Sequence, residues 1–294
     1  MLDKELRGLV EKLAICFAVC FIISFVLLHE SLDGIATMLT LNYILGQNHA
    51  APWAVLLLCG IWLWLKRKDI VQGMKEESYS PVSIALGLVL IIVSLLIPAI
   101  DDLLVFQLLL AWLAVFIILF GKGMLIPAIM LLIYGFSILF PLLVNRFAEL
   151  PYSQTIILPA MWILTMIGYP LECQGQWITF VSATGEQIGV LVNAACAGPA
   201  TMGLFIALFA LMMLDRPLPA RKAGCVFSFG IVGTWVQSLV RLIILLLVGY
   251  YYGEAALWTA HFWTIYLLFP LWYLIFLYVY FYVYKKNEIR RTPR

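Results

Sequence analysis

Charge is what this sequence has least of. Only 12% of its residues are Asp, Glu, Lys or Arg, against roughly a quarter in water-soluble domains. A chain so poor in charge cannot build a globular surface that faces water. Its 18 basic and 16 acidic residues leave a net charge of +2, too small and too scattered for a nucleic-acid-binding face. Histidine occurs three times, at His29, His49 and His261, which argues against a histidine-rich metal centre. The six cysteines contain no CxxC pair. Cys16 and Cys20, one helical turn apart, lack the further ligands a metal site requires. No metal and no cofactor is expected. Internal repeats, low-complexity segments and linkers are missing too, so residues 1–294 read as one membrane domain.

What the sequence has in abundance is apolar length. Hydrophobic residues make up 64% of the chain, the mean hydropathy is +1.03, and the apolar runs are about 15 to 24 residues long, enough to cross a hydrocarbon core of about 30 Å. They fall at 9–28, 51–65, 82–99, 103–120, 124–144, 153–169, 197–214, 223–252 and 261–284. The first run ends in His29-Glu30 without a small-x-small cleavage site and reads as a retained helix. Basic residues decide which runs cross. If all nine do, with the C-terminus inside, 9 Lys and Arg fall inside and 8 outside. If 153–169 lies along the interface instead, 16 of the 18 fall inside. Positive residues favour cytoplasmic loops, so the second arrangement is preferred. The expectation is an all-α polytopic protein of the cell (plasma or inner) membrane, with about eight transmembrane helices and both termini cytoplasmic.

That topology leaves 145–195 outside the cell. After the interfacial helix come two β-prone runs, 176–181 and 186–192, around the Gly-containing turn 182–185. They read as a short β-hairpin, which must lean on the membrane bundle to be stable.

Arg241 is the anomaly that opens the functional question. It is the one charge inside 235–249, and an arginine at the centre of a membrane helix costs roughly 2.5–3.5 kcal/mol, so it faces a partner, a wet cavity or an interface. It stands 19 residues beyond Lys222, about 28 Å along a helix. Cys196 stands 19 residues before Asp215, again about 28 Å. His261 precedes Lys285 by 24 residues, about 36 Å, and so lies slightly further out. Three reactive residue types therefore reach one membrane face on three consecutive helices. A cation or a helix N-terminus lowers a thiol's pKa. Cys196, at the start of its helix, has Ala197 and Gly198 behind it, whose N–H groups, like Arg241, could hold an oxyanion. His261 could move the proton. The plain alternative is a buried cysteine, a snorkelling arginine and an interfacial histidine with nothing in common.

The segment Val190-Leu191-Val192-Asn193-Ala194-Ala195-Cys196-Ala197-Gly198 resembles the exosortase/archaeosortase signature, an ACxG core after a β-like run. Arg241 in the next helix and His261 at the beginning of the last match the family's later landmarks. Phe140-Pro141-Leu142-Leu143 and Gly168-Tyr169-Pro170-Leu171 resemble its approach to the cysteine. The likeness covers about 140–284, within a core of 124–294; residues 1–123 supply helices without a recognised motif. The resemblance implies a cysteine transpeptidase or peptidase with Cys196 as nucleophile, His261 as general acid/base and Arg241 as transition-state stabiliser. It implies partners that are membrane-tethered proteins with a C-terminal tripartite sorting signal, transferred to a lipid-like or amine acceptor, and no nucleic acid. Many members carry Ser or Thr where this chain has Ala197, and Asn where it has Ser238. Asn193, Gln237 and Ser238 are candidate substrate-binding residues; Gln237 or Ser238 could bond either the arginine or the substrate backbone.

Other readings use other residues. A transporter would bind an anionic substrate at Arg241, though the two related halves common in transporters are not visible. A non-catalytic assembly factor would keep the fold and bind sorting signals. Asp101 and Asp102 read as a solvated external turn, Cys173 as structural, His29 and His49 as interfacial. The aromatics of 263–284 read as a membrane belt, and Lys66-Arg67-Lys68 as a topology signal. A tag inserted after Arg146 is expected to be labelled from outside intact cells; protection of that tag would overturn the eight-helix topology.

Overall fold

The computed structural model describes residues 2–28, 32–44, 50–76, 80–98 and 102–289. His29, His49 and Asp101 lie outside them. Contiguous apolar runs with good helix formers become helices because only there is every backbone polar group paired within its own segment. In chain order these are α1 (Leu2–Leu28), α2 (Leu32–Met38), α3 (Leu41–Ile44), α4 (Ala50–Leu65), α5 (Arg67–Glu76), α6 (Pro81–Leu96), α7 (Asp102–Phe120) and α8 (Leu125–Phe147), followed by α9 (Glu149–Ile167). Strands β1 (Leu171–Gln174), β2 (Trp177–Val181) and β3 (Gln187–Leu191) come next. After them stand α10 (Ala194–Ala197), α11 (Pro199–Asp215), α12 (Ala220–Tyr252) and α13 (Glu254–Ile289). Among the described residues five stretches are long and apolar enough to cross a membrane: Arg7–Val26, Leu103–Phe147, Glu149–Ile167, Ala220–Tyr252 and Glu254–Asn287. Ala50–Leu65, Pro81–Leu96 and Pro199–Asp215 are shorter apolar helices. The chain is a multi-pass membrane protein.

Two compact units divide it, residues 1–138 and 139–294. In the first, Cys16 and Cys20 are fully buried against Met74, Val115, Phe120 and Met124; these thiols act as small hydrophobes. The indole N–H of Trp112 on α7 donates to Ser24 Oγ on α1 at 2.8 Å. Backbones meet where α5 crosses the 3-10 turn Gly121–Met124: a Cβ on Gly123 would stand 2.8 Å from the carbonyl carbon of Gly73. A cavity of about 380 Å³ lined by apolar side chains such as Cys59, Trp112, Phe116 and Met130 lies in this unit. Its lining contains none of Cys196, Arg241 and His261.

The second unit is built around a small antiparallel sheet of order β1-β2-β3. The expected hairpin is present as β2 and β3, with Thr179 opposite Gly189. A third strand joins it, Cys173 pairing with Ile178, so the hairpin expectation was one strand short. One face of the sheet is buried. Ile178, Phe180 and Ile188 pack with Val192 against Ile156, Ile157, Ala160 and Leu164 of α9, Leu239, Leu242 and Leu246 of α12, and Leu257 of α13. This alternation is what a sheet with one solvated face requires.

The sheet also fixes where the last two helices meet. The Ala183 N–H in the β2–β3 turn donates to the Tyr250 carbonyl at 2.7 Å. Glu186 Oε2 accepts the Glu254 N–H at 3.0 Å, satisfying one of the open donors at the start of α13. Tyr169 and Tyr251 join their hydroxyls at 2.8 Å. Glu186→Ala is therefore expected to lower stability by about 1 kcal/mol, read as a lower thermal midpoint in detergent, whereas Glu186→Gln should keep most of it. Equal midpoints for the alanine variant and the parent would show that this cap contributes nothing.

Candidate active site

Gly198 divides what reads in sequence as one apolar helix. Its φ is 90°, left-handed backbone that L side chains rarely adopt. A Cβ there would also stand 2.7 Å from Ser238 Oγ and 2.9 Å from Thr201 Oγ1. Glycine is needed on both counts. The break puts Cys196 on the separate four-residue turn α10 rather than on the N-terminus of α11, which corrects the placement expected from its distance to Asp215. Asn193 closes that turn: its Oδ1 accepts the Cys196 N–H at 3.0 Å, and its carbonyl accepts the Ala197 N–H, also at 3.0 Å. Of the Ala197 and Gly198 N–H groups expected to be open beside the thiol, that of Ala197 is thus engaged, as is the N–H of Cys196 itself, because Asn193 caps the turn with both its side chain and its carbonyl.

The same glycine brings in α12. Ser238 touches the Gly198 turn, and Arg241 follows it by three residues on the same helix, close enough for its charge to act on the Cys196 thiol. Burial is the larger influence and pushes the half-buried Cys196 thiol above its ordinary value. The Arg241 cation and a backbone hydrogen bond at Asn193 pull the other way without cancelling it. The thiol at rest is therefore protonated near neutrality, and nucleophilic attack needs a base.

His261 on α13 is beside the arginine. Arg241 Nη2 lies 3.3 Å from Nδ1 and 3.3 Å from Nε2 of the ring, so neither nitrogen is singled out. The Trp258 ring meets the imidazole edge-on at 5.7 Å between centroids. One expectation is corrected here. His261 does not begin the last helix: α13 starts at Glu254, about two turns earlier, at the cap provided by Glu186.

Arg241 is 5% exposed. Among the described residues no carboxylate lies within ion-pair distance of it, and its Nε has no hydrogen-bond partner. The Phe269 ring, 5.8 Å from the guanidinium carbon, is what it rests on; a ring face attracts a cation without neutralising it. Gln237, one turn earlier, is 8% exposed, and neither its Nε2 nor its Oε1 is bonded. Ser238 Oγ donates to the Thr234 carbonyl at 3.2 Å. The structure thus gathers Cys196, Asn193, Ser238, Arg241 and His261, with Gln237 on the next turn of α12. Cys173 stays apart on β1, its thiol facing the Gly175 carbonyl at 3.6 Å, and Glu172 is exposed.

Supporting groups on α11 and α13 were not singled out in the sequence. The Tyr273 hydroxyl donates to the Thr201 carbonyl at 2.9 Å, and Thr201 Oγ1 donates to the Gly198 carbonyl at 2.7 Å. The Trp272 indole donates to Thr234 Oγ1 at 3.1 Å. These bonds tie three helices together beside the cysteine turn. Tyr273 and Trp272 belong to the aromatic run read as membrane belt; Trp263, Tyr278 and Tyr282 are indeed exposed, but Phe269, Phe276 and Tyr280 are buried.

A family model described as transmembrane exosortase (Exosortase_EpsH) matches residues 44–278. No curated protein and no solved structure matches the chain.

The raised thiol has a measurable consequence. In a chain with Cys173 and Cys225 replaced by alanine, alkylation of Cys196 is expected to speed up about tenfold per pH unit and to be still climbing at pH 9. Arg241→Met should shift that rise to higher pH. A rate already level below pH 7 would mean a resting thiolate and would contradict the burial argument.

Proposed function

The chain belongs to the transmembrane exosortase family, and on that premise we propose that Cys196, Arg241 and His261 are the catalytic residues of a cysteine peptidase of the membrane edge that acts as a transpeptidase. Membership supports a protein-sorting protease or transpeptidase in general. The finer reading is that a membrane-tethered protein presents its C-terminal sorting signal at the extracytoplasmic end of α12 and α13. In this reading the chain crosses eight times, with α9 along the interface and both termini inside.

The reaction runs in two balanced halves. His261 takes the thiol proton as Cys196 Sγ attacks the scissile carbonyl carbon, and the carbonyl oxygen becomes an oxyanion facing Arg241. Collapse breaks the C–N bond, His261 returns the proton to the leaving amine, and a thioester remains on Cys196. An amine or a lipid-like hydroxyl then attacks the thioester, gives its proton through His261 to the departing thiolate, and leaves with the acyl group. Asn193 holds the cysteine turn, and Ser238 sets the spacing between that turn and α12.

One observation carries this reading: a buried guanidinium with no counter-carboxylate among the described residues, touching an imidazole and acting on a thiol. A cation left uncompensated in an apolar interior is costly. It becomes useful when negative charge appears only in the transition state. The transporter reading uses the same cation but gives Cys196 and His261 nothing to do.

Co-expression with a tripartite-signal substrate from the same genome tests it. Wild type is expected to shorten the substrate at its C-terminus, and Cys196→Ala to leave it intact while still inserting in the membrane. Arg241→Met should slow processing on the order of a hundredfold to a thousandfold. Arg241→Lys should recover only part, because lysine keeps the charge but lacks the planar donor fork. Normal processing by Cys196→Ala would remove the nucleophile from this account.

A further inference from the structure

Gln237 is the polar group of this helix face that the reaction above leaves idle. It is buried one turn before Arg241 on α12, and both ends of its carboxamide lack a partner. Its polar neighbours are not in that position. Thr234 bonds the Gly230 carbonyl, Ser238 bonds the Thr234 carbonyl, and Trp272 bonds Thr234. Buried polar groups in folded proteins are paired in the great majority of cases, so an exception wants a reason. Arg241 Nε, one turn on, is the other exception among the described side chains of α12.

The chemistry of a free carboxamide narrows what it awaits. It offers a donor and an acceptor together and carries no charge. An anion would call for donors alone, and a lipid ester offers acceptors alone. A peptide group offers both. A transmembrane helix, however, has no backbone group to spare, since its N–H and C=O groups are paired within the segment. Of the groups a protein substrate brings to this depth, unwound backbone is the one that offers Gln237 both. Position then tells which part. Gln237 is four residues nearer than Arg241 to the Lys222 end of α12, about 6 Å along the helix, so it lies on the side towards which a substrate's membrane segment continues after the bond that is cut.

We infer that Gln237 binds a backbone peptide group on the leaving side of the scissile bond, and that the first residues of the substrate's membrane segment are held there unwound. This rests on the sorting-peptidase reading and adds a demand on the substrate: the segment just after the cleavage point must give up helix. Gln237 is then a substrate-binding residue whose cost in the empty enzyme is recovered on binding. Removing its polar atoms relieves the empty enzyme and harms the loaded one. A residue of merely structural use would move both in the same direction.

The experiment uses the full-length chain in detergent with synthetic substrates that carry the sorting signal of a genomic partner. Gln237→Met, close in shape but without donor or acceptor, is compared with wild type. Each is given the parent substrate and substrates in which one leaving-side amide beyond the scissile bond is replaced by an ester. The expected result is a thermal midpoint for Gln237→Met at or above that of wild type, with kcat/KM about tenfold lower. At one position the ester should slow wild type by a similar factor and the methionine variant no further. The inference is overturned if Gln237→Met cleaves the parent substrate at the wild-type rate. It is also overturned if its midpoint falls together with its activity, or if every ester slows both enzymes equally. Cleavage by Cys196→Ala would instead sink the underlying reading, whatever Gln237 does.

Discussion

The second unit is organised around one guanidinium that meets no acid among the described residues. Burial among apolar side chains makes the Arg241 charge expensive, and the usual remedy is a carboxylate. Here its surroundings are an aromatic ring and an imidazole, neutral groups that let the helix accept the charge without cancelling it. In a medium of low polarity an uncancelled cation has long reach. The Cys196 thiol feels it from a different helix. A carboxylate at this point would have made α12 more comfortable and the site electrostatically blank.

Holding that cation in register falls to features that carry no charge. Gly198 lets the cysteine turn lie directly against Ser238. Thr201 and Tyr273 fix the turn to α11 and α13. The sheet then sets the other end, since Glu186 and Ala183 anchor the junction at Gly253 where α12 gives way to α13. The position of His261 relative to Arg241 is decided there, about two turns from the histidine and more than three from the arginine. A small sheet thus governs a contact between two helices.

Much of this was legible in the sequence, and the parts that were not share a physical reason. Apolar runs announce helices because lipid leaves the backbone no alternative. The β2–β3 hairpin announced itself through β-prone runs around Gly185. Measuring along helices from Lys222 and Asp215 brought Arg241 and Cys196 to one level. It took His261 for the start of the last helix, where the apolar run begins, whereas α13 starts at Glu254. Gly198-Pro199 did hold a signal for the broken helix, a glycine able to turn left before a proline suited to a first helical position, but the surrounding alanines read as uninterrupted helix. Strand β1 is four residues long with Glu172 in it, too short for a pattern. On α13 nearly every residue is apolar, so no period separates the lipid face from the packed face, and Tyr273 and Phe269 were hidden among their neighbours. Gln237 was visible as a polar residue beside Ser238, but its lack of partners is a property of the packing alone.

The cap between Glu186 and Glu254 also has a consequence in time. A ribosome delivers the chain from one end, and the acceptor Glu186, just before β3, emerges 68 residues before the N–H it will hold. Cys196 emerges 65 residues before His261, a wait of roughly 3–13 s at ordinary elongation rates of 5–20 residues per second. During that interval the Cys196 thiol is already made but the imidazole of His261 is not. The junction that orients His261 closes only when the last helix has been made, so on the proposed roles biosynthesis itself would keep the thiol dormant until the chain is complete.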